Sequence, residues 1–137
     1  MDWHNTLEEK DAVPHKNVVA LETLMLAVDV HIISWVGSSA RFEKTMQDIQ
    51  QWLPAETLKK VKSFRCIYKM VGAEGKVDWA CYLGAQAVFD DQPDVIQEAL
   101  EWGLEGYPIK AWGKNHQGTS FWSFADAVEQ YLKDRTP

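Results

Sequence analysis

Residues 64–71 (FRCIYKMV) and 76–83 (KVDWACYL) flank a glycine-bounded GAEG segment, and this arrangement constrains the chain more than any other. If the arms pair around that turn, Met70 faces Val77, Tyr68 faces Trp79, Cys66 faces Cys81 and Phe64 faces Leu83. All eight residues are then apolar on one sheet face, while Lys69 and Asp78 form an opposite-charge pair on the other. The register predicts a central β-hairpin. A helix beginning at Asp78 is the alternative, since Gly84 and the alanines after it are unusual in a strand interior.

Around the hairpin the periodicity predicts alternating helices and strands. Asn17 could cap a helix carrying Val18, Leu21 and Met25, although Val19, Leu21, Met25 and Ala27 also alternate as a strand would. Residues 28–36 alternate as a strand, and Gly37-Ser38-Ser39 then opens a helix bearing Phe42, Met46, Ile49 and Leu53. Pro54 ends that helix or begins a short one with Leu58 and Val61. Asp90 or Asp91 with Pro93 marks a further helix start, with Val95, Ile96, Ala99 and Leu100 on its apolar side and Gly103 or Gly106 at its end. Residues 107–112 (YPIKAW) read as an edge strand because Pro108 cannot donate to a ladder. Ser123 with Asp126 caps a last helix bearing Phe124, Val128, Tyr131 and Leu132.

The expected fold is therefore α+β: a single domain at residues 15–137, with one mixed or antiparallel sheet, the central hairpin within it, and helices on one face. Residues 1–14 show no sustained period and end at Pro14, so they are expected to be a loosely held lead-in.

Composition narrows the function classes. A net charge of −6, from 14 Lys and Arg against 20 Asp and Glu, repels phosphate backbones and argues against nucleic-acid binding. Glu22, Asp29 and His31 interrupt the most apolar region, so no membrane span is expected, and the polar start suggests a cytoplasmic location. Without a CxxC pair or Cys/His cluster there is no zinc signature, and no metal or other cofactor is expected. Cys66 and Cys81 read as core thiols. The seven Trp are unusual, and they suggest rings at a pocket or a subunit contact, including a homodimer paired through the edge strand.

Three constellations are candidate sites. In residues 113–122 (GKNHQGTSFW) two glycines have phosphate-loop spacing, but Thr119 stands where that loop needs Lys, which excludes nucleotide hydrolysis on this motif. The remaining expectation is an anion or ligand loop of Lys114, His116, Thr119 and Ser120. Asp29 and His31 share a strand face, where a carboxylate can orient an imidazole, and His116 folded over them would complete a catalytic or ligand pocket walled by Trp35 or Trp112. Glu98, Glu101 and Glu105 form an acidic stripe beside Trp102, suited to a basic protein partner.

The leading expectation is an acidic binding or accessory protein, an inhibitor or immunity-type partner of a more basic protein, rather than an enzyme. The alternative is a small-molecule binder or enzyme whose pocket uses Asp29, His31 and His116.

Overall fold

In the computed structural model, residues 1–68, 74–110 and 120–136 are described. After an irregular turn at Trp3–Leu7, the elements run α1 (His15–Met25), β1 (His31–Val36), α2 (Ser39–Trp52), α3 (Ala55–Lys60) and β2 (Ser63–Tyr68). They continue with α4 (Glu74–Tyr82), β3 (Ala87–Asp90), α5 (Pro93–Glu101), β4 (Glu105–Pro108) and α6 (Phe124–Arg135).

Local chemistry accounts for several boundaries. The Ser38 hydroxyl accepts from the Arg41 N–H and starts α2, while the Ser123 hydroxyl accepts from the Asp126 N–H and starts α6. Pro93 stands in the first turn of α5, and beyond that helix Gly103 takes a left-handed φ of 81°. The ambiguous stretch after Pro14 is a helix. Asn17 lies within it rather than capping it: its buried side chain donates to Leu7 O (3.0 Å), Thr6 O (3.4 Å) and Glu9 Oε2 (2.9 Å), and accepts from Ala125 N–H (3.3 Å).

The hairpin is replaced by a parallel arrangement. β2 pairs parallel with β1, Ser63 opposite His31 through Tyr68 opposite Val36, and β3 pairs parallel with β4, Ala87 opposite Glu105 through Asp90 opposite Pro108. The proposed second arm is helix α4, whose Val77 and Ala80 pack with Val88, Val95, Ile96 and Ala99. Of the apolar residues of α4, only Val77 and Ala80 are buried, at i, i+3 spacing, while Cys81 and Tyr82 are exposed, so the alternation of this segment points to a strand and packing makes it a helix. Cys66 lies opposite Ser34, and Cys81 is exposed on α4, so the two thiols are not partners.

The first residues join the two strand pairs. Met1 donates its backbone nitrogen to His31 O (2.7 Å) and accepts from Ile33 N–H (2.8 Å), a parallel bridge to β1. On the other side Asp2 N–H donates to Phe89 O (3.0 Å) of β3. The order across the molecule is thus β2, β1, residues 1–2, β3, β4. Trp3 and Leu7, with no exposed surface, belong to the main core. Residues 1–2 thus lie between the two two-stranded parallel sheets and are hydrogen-bonded to both, rather than loosely held.

Helices cover both sheet faces rather than one. On β3, adjacent Val88 and Phe89 point to opposite sides, and each joins a different core. Phe89 packs with residues of α1 and α6, and Val88 with residues of α4 and α5. Burial on both faces is the usual state of a parallel sheet.

Candidate functional site

The carboxyl ends of the central strands carry a buried charge cluster. Asp2 ends the first segment, Asp90 ends β3 and Asp91 follows it; ligand oxygens from the three lie within 4.8 Å of one another, and all three residues are buried. Lys76, in the first turn of α4, places its ammonium 2.9 Å from Asp2 Oδ1 and 2.9 Å from Asp90 Oδ2. Gly75 permits this approach, because a Cβ there would meet Ile67 Cγ2 at 3.2 Å. The Lys76 ammonium also sits 4.6 Å from the centre of the Trp35 ring.

The roles of the three carboxylates differ. Asp90 is fully engaged, its second oxygen accepting the Gln92 N–H at 2.9 Å. Asp2 gives one oxygen to Lys76 and shares a hydrogen bond with Asp91. Burial, then the neighbouring Asp90, push the Asp2 pKa well above the ordinary carboxylate range despite Lys76. Burial also raises Asp90, against the opposing pull of Lys76 and Gln92. For Lys76, burial disfavours the charge, but Asp2 and Asp90 outweigh it and hold the pKa above the usual lysine value. Three carboxylates beside one ammonium leave the cluster short of positive charge.

A cavity of about 680 Å³ opens on this cluster, lined by Asp2, Asp91 and Lys76 and, farther out, by His4, Trp35 and Arg41. His4 is held by Glu8 Oε2 (3.2 Å) and Thr45 Oγ1 (3.3 Å). Asn5, Lys10 and Asp11, the non-glycine residues with left-handed φ among those described, all line this cavity. Such conformations cost free energy and collect at functional sites. The position also fits the topology. The chain builds outward from residues 1–2 through β1 to β2, then crosses back to β3 and β4, so the cavity lies at the carboxyl ends of strands where connections diverge, the usual place for a ligand in a parallel sheet.

Of the residues expected from sequence, Trp35 lines this cavity, whereas Asp29 and His31 do not. Asp29 precedes β1 and is exposed; His31 opens β1 and pairs through Nδ1 with Ser63 Oγ at 2.6 Å. Burial, followed by the nearby backbone amine, lowers the His31 pKa. Asp29 and His31 line a second cavity of about 330 Å³ that also reaches Lys76 and Asp90. His116, Lys114, Thr119 and Trp112 fall outside the described residues, and Ser120 is half-buried at the edge of that segment. The acidic stripe is divided: Glu98 and Glu101 are on α5, whereas Glu105 begins β4 and pairs with Arg135. Trp102 is 63% exposed beside them.

Sequence reasoning passed over Asp2, Lys76, Asp90 and Asp91. A usable signal was present in VFDD, where carboxylates end a short apolar run, and again in Asp2 immediately before Trp3. In a parallel sheet such strand-end residues share one edge. The chain matches no family model, no curated protein and no solved structure.

Proposed function

We propose that this protein is a divalent-cation-dependent enzyme that hydrolyses small phosphate esters, with Asp2 as its nucleophile. The observation that carries the reading is the convergence of Asp2, Asp90, Asp91 and Lys76 at the carboxyl ends of the central strands, beside a cavity large enough for a small substrate. All-oxygen donors suit a hard cation such as Mg²⁺, which binds through a few carboxylates and keeps positions for phosphate oxygens. Asp2, Asp90 and Asp91 would hold such an ion, and it would supply the positive charge that Lys76 alone does not.

Asp90 is committed to Lys76 and the Gln92 N–H, whereas Asp2 opens on the cavity and is oriented by Lys76. Its carboxylate attacks phosphorus, the ester P–O bond breaks with its electron pair going to the leaving oxygen, and that oxygen takes a proton from solvent to leave as the alcohol. Water then cleaves the aspartyl phosphate, releasing inorganic phosphate and restoring the carboxylate. The test is phosphate release from p-nitrophenyl phosphate. We expect turnover with Mg²⁺, none with a chelator, and a loss of roughly a thousandfold or more in Asp2→Asn; wild-type protein inactive with every divalent cation would reject the reading.

A protein-binding role is a second reading, supported by Trp102 and Leu100, which are 63% and 52% exposed at the end of α5 next to Glu98 and Glu101. A basic partner captured by the wild type and lost in Trp102→Ala would support it; equal capture by both would count against it.

A further inference from the structure

The proposed chemistry needs only the inner end of the 680 Å³ cavity, and the outer part carries a distinct feature. β1 ends at Val36, Gly37 turns the chain, and the Ser38 cap fixes the first turn of α2, from which Arg41 lines the cavity. Arg41 is exposed, and among the described residues its guanidinium makes no ion pair and no hydrogen bond. Several other basic side chains are paired, Lys44 with Asp48, Lys59 with Glu56, Lys133 with Glu129 and Arg135 with Glu105, whereas Lys60 and Lys62, like Arg41, show no such partner among the described residues. Arg41 is not satisfied by the cavity's own acids either. Glu8 gives one oxygen to His4 and the other to the Asp11 N–H at 3.4 Å, and Asp11 forms no pair with Arg41.

An unpaired guanidinium is a fork of donors matched to a planar or tetrahedral oxyanion. Arg41 lines the same cavity as Asp2 and Lys76, so it is available to the alcohol portion of a substrate anchored at the cluster. Resting on the phosphoesterase reading, we infer that Arg41 selects phosphate monoesters whose alcohol portion carries a second anionic group, a carboxylate or another phosphate. Arg41 is a specificity residue and takes no part in bond breaking.

The test compares three aryl phosphates in Mg²⁺: p-tolyl phosphate, 4-(carboxymethyl)phenyl phosphate and 4-(phosphonomethyl)phenyl phosphate, which differ mainly in the remote group. The wild type should favour the two anionic substrates in kcat/KM by roughly tenfold to a hundredfold, the size of a charge-assisted contact. Arg41→Ala should erase that preference through KM, leaving kcat and the p-tolyl rate unchanged, and Arg41→Lys should retain part of it. A larger preference for the phosphonate identifies a second phosphate as the natural group, and a larger preference for the carboxylate identifies a carboxylic acid. A wild type that hydrolyses all three alike, or an Arg41→Ala variant slowed equally on all three, overturns the inference while leaving the phosphoesterase reading intact. A wild type inactive on all three overturns both.

Discussion

Asp2 and Lys76, far apart in the sequence, form a 2.9 Å ion pair in which both side chains are buried. Because Lys76 also holds Asp90, one ammonium ties the first residues, α4 and the end of β3 together. Lys76→Met would leave buried carboxylates beside no side-chain cation. We expect a loss of about 3–5 kcal/mol of folding stability in denaturant unfolding; a loss below about 1 kcal/mol would mean that the cluster is open to water.

The carboxylates themselves repel. Asp2→Asn mimics the protonated side chain that burial and Asp90 favour, so without added cation this variant should be at least as stable as the wild type. It should also lose most of the rise in Tm that Mg²⁺ gives the wild type. Equal Mg²⁺-dependent rises in the two proteins would remove Asp2 from the cation site.

Trp3 has no exposed surface and belongs to the main core. Trp3→Ala should cost about 3–5 kcal/mol, the usual range for emptying an aromatic core site. A loosely attached start would tolerate the change with almost no loss, which makes this variant a direct check on the central placement of residues 1–2.

Tyr107 donates its hydroxyl to Asp134 Oδ2 at 2.7 Å, and burial, with that carboxylate, pushes its pKa up to about 12. A raised acid pKa favours the protonated form in the folded state. Its stabilising contribution is therefore complete below the ordinary tyrosine value near 10 and is lost as pH rises toward about 12. Stability should fall across this alkaline window, and the fall should shrink in Tyr107→Phe. An ultraviolet phenolate titration showing every tyrosine ionising near pH 10 would contradict the assignment.

The sequence was most readable where one short-range rule had no competitor. Ser38 and Ser123 marked the starts of α2 and α6 because a hydroxyl three residues before a free N–H needs no tertiary information. Residues 76–83 alternate as a strand would, and packing of Val77 and Ala80 against Val88, Val95 and Ile96 accompanies the helix instead. That choice decided the site, because a hairpin puts Lys76 at a turn whereas α4 brings it to Asp2 and Asp90. Each of the four charged residues had an ordinary local explanation: Asp2 as polar lead-in, Lys76 as hairpin flank, Asp90 and Asp91 as a helix start. Their convergence comes from strand order, which residues 1–2 set by pairing with both β1 and β3.

Passage of phosphate through the Asp2 carboxylate is tested most directly by acid quenching during turnover of p-nitrophenyl phosphate, followed by borohydride reduction and peptide mass spectrometry. A reduced aspartyl derivative at Asp2 is expected in the wild type with Mg²⁺ and none in Asp2→Asn. An active wild type labelled at another residue, or turning over without any covalent phosphate, would contradict it.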